Sequence, residues 1–322
     1  MSLKISVAIC TYNGALFIKE QLNSILLQTL PVNEIIICDD GSTDNTINII
    51  NELMLLYPNI IQLYKNEYTL GAKKNFEKAI LLCKGDYIFL SDQDDIWDEE
   101  KVKICINYLE NNSELIGVFT NAKLINESGI SCYSKNLWEY ASFPMAEINK
   151  ENLYSYILKF GNIVTGANLV IKKEALRLII PFQFLENVWH DEWIAICLSS
   201  LGRLGILDKC LTYYRMHPNQ QVGISIFNPN NNYLAKYHRV DLLIHEVALD
   251  NFFFWKNRLT FLYQLQPYAI VPDFVLDYVT EYMHLNLKYY LRSLPWSKRK
   301  ILMLKWKMGG LYPFKLKELL LY

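Results

Sequence analysis

The strongest constraint in this chain is a pairing repeated through residues 1–125: a short apolar, mostly β-branched run, then a stretch with helical apolar spacing, with acids or turn formers at the joins. Residues 5–10 read as a strand. Residues 16–27 read as a helix, with Leu16, Phe17, Leu22, Ile25 and Leu26 among its apolar positions, and 35–38 as the next strand. A helix over 46–56, a strand over 60–64, a helix around 75–83 and strands over 87–90 and 118–121 continue the series. Such alternation builds βαβ units around a parallel sheet. Beyond residue 125 the pattern loosens, predicting a helix over 153–159, a strand over 168–171, a helix over 191–201 and a strand over 204–207. From Tyr233 onward it is mainly helical and dense in aromatic residues, after an Asn-Pro-Asn-Asn-Asn loop at 228–232.

At 322 residues the chain exceeds what one core of roughly 250 residues usually holds. The expected division is a catalytic α/β domain over 1–227, in halves 1–125 and 126–227, and a helical C-terminal region over 228–322. Hydrophobic residues make up 52% and charged residues 20%, which excludes a disordered chain. Seven cysteines are an odd number, and Cys10 and Cys38 lie inside apolar runs, so they read as buried thiols of a reducing cytoplasm. With no C-x-x-C pair, structural zinc is not expected. The opening Met-Ser-Leu-Lys leads directly into a strand, and no run reaches 18 apolar residues, so neither a secretory signal nor a membrane span is expected.

Open parallel sheets bind ligands outside the carboxyl ends of their strands. Here those positions carry Thr11-Tyr12-Asn13-Gly14, Asp39-Asp40-Gly41-Ser42 and Ser91-Asp92-Gln93-Asp94-Asp95. None has the glycine spacing that cradles phosphate on backbone amides. Three carboxylates in four residues at Asp92, Asp94 and Asp95 fit a divalent cation, Mg²⁺ or Mn²⁺, that leaves positions open for substrate phosphates. The plainer alternative is a solvated acidic turn before the next helix. Asp39 and Asp40 likewise fit either a turn and helix cap or an acceptor for a base N–H or ribose hydroxyls.

Taken together, Val7 through Gly14, Asp39 through Asp44, Gly71 through Asn75 and Ser91 through Trp97 resemble the family 2 glycosyltransferases of GT-A fold in order and spacing. Asn162-Ile163-Val164-Thr165-Gly166, His190-Asp191-Glu192-Trp193 and Tyr214-Arg215-Met216-His217 are similar to bacterial polysaccharide rhamnosyltransferases, extending the resemblance to about Gly223. The resemblance implies a mostly parallel α/β sheet flanked by helices; the last third of the chain lies outside it, and the helical C-terminal extension expected there rests on the apolar pattern alone. It implies a nucleotide-sugar site at Thr11, Tyr12, Asn13, Asp40, Lys74, Asp92 and Gln93, and Mn²⁺ or Mg²⁺ on Asp92, Asp94 and His217, with Asp95 able to share that role. Asp191 would be the general base. Glu192 is a rival, because many members carry Glu-Asp where this chain has His-Asp-Glu, and a helix cap is the bland reading of Asp191. Gly166, His190, Glu192 and Trp193 would form the acceptor side.

The activity so implied is inverting transfer from a nucleotide-diphosphate sugar to a hydroxyl of a growing, lipid-linked cell-surface polysaccharide. The donor leans to dTDP-rhamnose, with UDP-hexose or UDP-N-acetylhexosamine as alternatives. A sugar nucleotidyltransferase would carry a Gly-rich loop where the first strand exits into Thr11-Tyr12-Asn13, and an inactive scaffold would have lost the base or the metal acids. Residues 286–322 hold nine Lys or Arg against the single acid Glu318, interleaved with Trp296, Trp306, Tyr312 and Phe314. That mixture suits an in-plane helix on anionic lipid, or a helix packed on the catalytic domain with a solvated basic face. The expected placement is peripheral, on the inner face of the cytoplasmic membrane. No nucleic-acid module accompanies the charge.

Overall fold

In a computed structural model the described residues are 3–131, 133–141, 143–183, 188–218, 220 and 248–293. The chain divides into two compact units, Met1–Lys236 and Tyr237–Tyr322, where the sequence predicts a division at 227. The first unit is built on one eight-stranded sheet in the order β3-β2-β1-β4-β7-β6-β8-β5. Its strands are β1 (Ile5–Thr11), β2 (Glu34–Asp39), β3 (Ile61–Lys65), β4 (Tyr87–Ser91), β5 (Ile96–Trp97), β6 (Gly117–Ile125), β7 (Leu169–Lys172) and β8 (Leu204–Arg215). Helices α1 (Ile18–Leu26), α2 (Thr46–Leu56) and α3 (Ala72–Leu82) connect the first four strands. They are followed by α4 (Lys101–Asn111), α5 (Leu137–Tyr140), α6 (Leu153–Phe160), α7 (Leu176–Ile179) and α8 (His190–Ser199).

The βαβ half is as the sequence predicts: β1 pairs in parallel with β2 and β4, and β2 with β3. Strand β2 is buried along its whole length and β1 at all but Cys10, the continuous burial of a parallel sheet covered on both faces. Helix α1 turns Ile18, Leu22 and Ile25 onto this core, joined by Val7, Ile9, Ile35 and Ile37. It starts two residues later than its apolar spacing suggests, which leaves Leu16 exposed. The other half is mixed, because β7 runs antiparallel to both β4 and β6. A strand reversed in this way begins at the edge where its parallel neighbours end, so the Gly166–Asn168 turn before β7 arrives beside the carboxyl end of β4.

Two strands depart from expectation. Strand β8 runs on to Arg215 instead of stopping at 207, because Asp208 and Lys209 form a bulge where the pairing jumps from Thr120↔Leu207 to Asn121↔Cys210. Asn121 Nδ2 donates to Asp208 Oδ1 there, at 3.1 Å. The short β5, within the motif read as an acidic turn, pairs antiparallel with β8 through Ile96 and Trp97. In register, Cys10 of β1 lies opposite Cys38 of β2, and the six described cysteines are free.

The second unit shows α9 (Ala248–Leu265) and α10 (Asp273–Ser293). Trp255 packs edge-on to Tyr278, with ring centroids 5.9 Å apart, above buried Leu262, Leu265, Val275, Val279 and Met283. Among the described residues no helix is long and apolar enough to cross a membrane. The loop at 228–232 and the basic, aromatic stretch from residue 294 onward lie outside the described residues.

Candidate active site

A cavity of about 1010 Å³ opens along the edge where β1, β2 and β4 end, lined by the three motif loops of the first half and by the 162–166, 189–192 and 214–217 segments of the second. At the β1 exit, Asn13 takes a left-handed φ of 50°. Its side-chain Oδ1 accepts the Thr43 N–H at 2.8 Å, and its own N–H donates to Ser42 Oγ. Asp39 accepts from Thr11 Oγ1 at 2.7 Å and from the N–H groups of Gly41 and Ser42, so it is the turn residue. Asp40 instead accepts from Leu70 N at 2.7 Å, Gly71 N at 2.9 Å and Asn66 Nδ2. Neither aspartate caps α2, whose first N–H, that of Thr46, donates to Asp44 Oδ1. Asp40 lines the cavity but reaches it with both carboxylate oxygens already bound to the β3–α3 connection.

The acidic loop after β4 is sorted by its neighbours. Gln93 zips it to the β1 exit: its Oε1 accepts the Tyr12 N–H at 2.9 Å and its Nε2 donates to the Tyr12 carbonyl at 3.1 Å. This close approach requires Gly14, where a Cβ would lie 2.3 Å from Gln93 Oε1. Asp92 faces the cavity, and burial, then the charges of Asp94 and Asp191, push its carboxyl up to about 7. Asp94 Oδ2 lies 2.9 Å from His217 Nε2, joining two positions 123 residues apart.

Asp95 departs from its expected share in metal binding. It is 1% exposed, does not line the cavity, and accepts the Arg215 N–H at 2.9 Å. Among the described residues no three His, Cys, Asp or Glu side chains gather closely enough to hold an ion unaided. Asp94 and His217, held together, could supply two ligands, with Asp92 lining the cavity near them. That donor set fits Mn²⁺ or Mg²⁺, which take one or two protein groups and complete their shell with water and substrate phosphates.

Two buried cations support these acids, and the sequence reading gave neither a role. Arg215, 1% exposed, donates from Nε to the Asp94 carbonyl at 2.6 Å, from Nη1 to the Glu127 carbonyl and from Nη2 to Glu20. Lys101 donates to the Ala167 carbonyl at 2.7 Å and to Thr212 Oγ1, beneath the Trp97 ring, and burial pushes its ammonium down to about 8. Its position was legible, since Lys101, Cys105 and Leu109 share one helical stripe.

Lining the same cavity, Asp191 sits in the first turn of α8. Its Oδ1 accepts the Glu192 N–H at 2.7 Å and its Oδ2 the Gly166 N–H at 3.0 Å. Burial pushes its carboxyl up to about 7. It thus lines the cavity from inside the first turn of α8, whose N-cap is Trp189, not Asp191. Gly166, His190 and Glu192 also line the cavity. Trp193 does not: it is a core residue whose Nε1 donates to the Ile179 carbonyl at 2.8 Å, one helical step round from the cavity face. Lys74 is likewise absent from the lining, while its neighbour Lys73 stands 5.7 Å over the Trp189 ring at the cavity rim.

A mixed sheet with acids at the edge where its parallel strands end, sharing one cleft with the Asp191 carboxylate, frames the site. The sequence matches the glycosyl transferase family 2 profile over residues 6–176. It is 35% identical to the dTDP-rhamnosyl transferase RfbG of Shigella flexneri, over 72% of this chain and 78% of that one. It is 30% identical to an uncharacterized glycosyltransferase of Nostoc sp., over 67% of this chain and 65% of that one. The structure of S. aureus TarS 1-349 in complex with UDP-GlcNAc superposes with a TM-score of 0.54 at 16% identity, covering 90% of this chain and 73% of that chain. The chain belongs to glycosyl transferase family 2. It is a glycosyltransferase of GT-A fold.

Proposed function

We propose that the protein is an inverting, divalent-metal-dependent rhamnosyltransferase, moving rhamnose from dTDP-rhamnose to a hydroxyl of a lipid-linked cell-surface polysaccharide. The observation that carries the chemistry is Asp191, a cavity-facing carboxylate pushed up to about 7, in the same cleft as the Asp94–His217 pair. A carboxylate with that value is matched to removing a proton near neutral pH, as the acceptor hydroxyl becomes acidic during bond formation. One base and one displacement invert the anomeric centre, with no nucleophile on the protein. Asp94 and His217 would hold the metal, with Asp92 beside them, and a divalent ion there supplies Lewis-acid stabilisation of the departing diphosphate. Thr11, Tyr12, Asn13, Asp40 and Gln93 shape the nucleotide end of the cleft. The donor follows the RfbG relative, whose name carries that sugar nucleotide.

The test is a transfer and melting-temperature assay of dTDP-rhamnose, UDP-glucose, UDP-galactose and UDP-N-acetylglucosamine, with Mn²⁺, Mg²⁺ or EDTA. Stabilisation and turnover by dTDP-rhamnose, lost in EDTA, is the expected result. The same behaviour with a UDP-sugar alone would replace the donor, and turnover unaffected by EDTA would remove the metal. The acceptor reading adds a membrane surface, reached from the cytoplasmic side through the basic and aromatic segment after residue 293. Full-length protein should co-float with vesicles containing phosphatidylglycerol and lose that property without residues 294–322. Equal flotation of the two would refute the lipid role of the tail.

A further inference from the structure

His190 is 8% exposed, lines the cavity, and has no hydrogen-bond partner on either ring nitrogen among the described residues. An unpaired buried polar group is costly, and structures keep one where a ligand completes it. Its ring is fixed from two sides. Phe76 of α3 stacks on it face to face, with centroids 3.8 Å apart and planes 13° from parallel. Off its Nε2 edge lies Gly166, where a Cβ would stand 2.6 Å from that nitrogen. The same glycine donates its N–H to Asp191 Oδ2, so one residue sets both the base and the ring beside it.

We propose that His190 is a substrate-binding residue that hydrogen-bonds a sugar hydroxyl next to the reacting hydroxyl, and that residue 166 is glycine to leave the ring its place. Burial, then the nearby Lys73 ammonium, hold the imidazole down to about 3. The ring is therefore neutral, with one nitrogen donating and the other accepting. A hydroxyl can accept from the N–H or donate to the bare nitrogen, so it can complete whichever ring nitrogen it meets, whereas a phosphate oxygen can meet only the N–H. The sugar ring is either that of the donor or the terminal unit of the acceptor, and the inference rests on the glycosyltransferase reading of this cleft.

The test compares wild type with His190→Phe, which keeps a ring against Phe76 without nitrogens, and His190→Asn, which restores a donor and an acceptor. Binding of dTDP, binding of dTDP-rhamnose and the acceptor KM are measured for each, with UDP and the matching UDP-sugar in their place if wild type prefers those. His190→Phe should keep the nucleoside-diphosphate affinity and melting temperature of wild type. It should lose about tenfold in affinity for the nucleotide sugar if the donor is the partner, or about tenfold in acceptor KM if the acceptor is. His190→Asn should recover part of that loss. An unchanged His190→Phe in an active enzyme would overturn the inference alone, as would a loss spread equally over dTDP affinity and melting temperature in both variants. A wild-type enzyme inactive with every donor would overturn the reading beneath it.

Discussion

At the scale of single residues, the cleft is a set of groups held away from their solution behaviour. Asp191 titrates near 7, so kcat/KM should climb with pH through that value and level off above it. Asp191→Asn should lower kcat by about 10²- to 10⁴-fold, measured under saturating donor and acceptor. Folding has the opposite dependence. Because the folded carboxyl titrates above its ordinary value near 4, folding favours its protonated form, and its contribution to stability falls as pH rises from about 4 to about 7. The same Asn substitution should therefore raise the melting temperature more at pH 8 than at pH 4, in scans of the two proteins side by side. Gly166→Ala would bring a methyl to 2.6 Å from His190 Nε2, and should cost about 1–3 kcal/mol in urea unfolding while lowering turnover.

At the scale of elements, the sequence showed the strands best where burial is continuous, and least where the chain changes direction. The β1, β2 and β4 strands are buried almost from end to end around Val7-Ala8-Ile9, Ile35-Ile36-Ile37 and Ile88-Phe89-Leu90, and the acids that follow β2 and β4 in the sequence mark the ligand edge. Strand β8 was cut short because Asp208 and Lys209 interrupt its apolar run, although the bulge they form lets the strand continue. That continuation carries Arg215 and His217 to the acids, a pairing no local pattern displays. Trp193 lies off the cavity lining for a related reason: adjacency to Asp191 in sequence says nothing of facing, and a helix turns consecutive side chains about 100° apart. Arg215 ties the acidic loop to α1 through Glu20 and to the 126–127 turn. Arg215→Met should thus destabilise the fold by about 1–3 kcal/mol in urea unfolding, since the Asp94 and Glu127 carbonyls and the Glu20 carboxylate lose a donor that is itself buried.

For the whole molecule, a donor site completed by substrate phosphates predicts that metal alone stabilises little. Mn²⁺ by itself should barely move the melting temperature, and the matching sugar nucleotide added with it should contribute about 2.7 kcal/mol at a hundred times its Kd. A large shift with Mn²⁺ alone would mean a fuller protein ligand set than Asp94 and His217. The free cysteines have a practical consequence of their own. Cys10 lines the cleft, yet burial and the neighbouring Cys38, Asp92 and Asp40 hold its thiol well above its ordinary value, and the other described cysteines are raised as well. Alkylating reagents attack the thiolate, which is scarce at such positions at neutral pH. The enzyme should keep its activity through iodoacetamide treatment at pH 7, so a maleimide-type inhibitor aimed at this cleft would find its nearest sulfur slow to react.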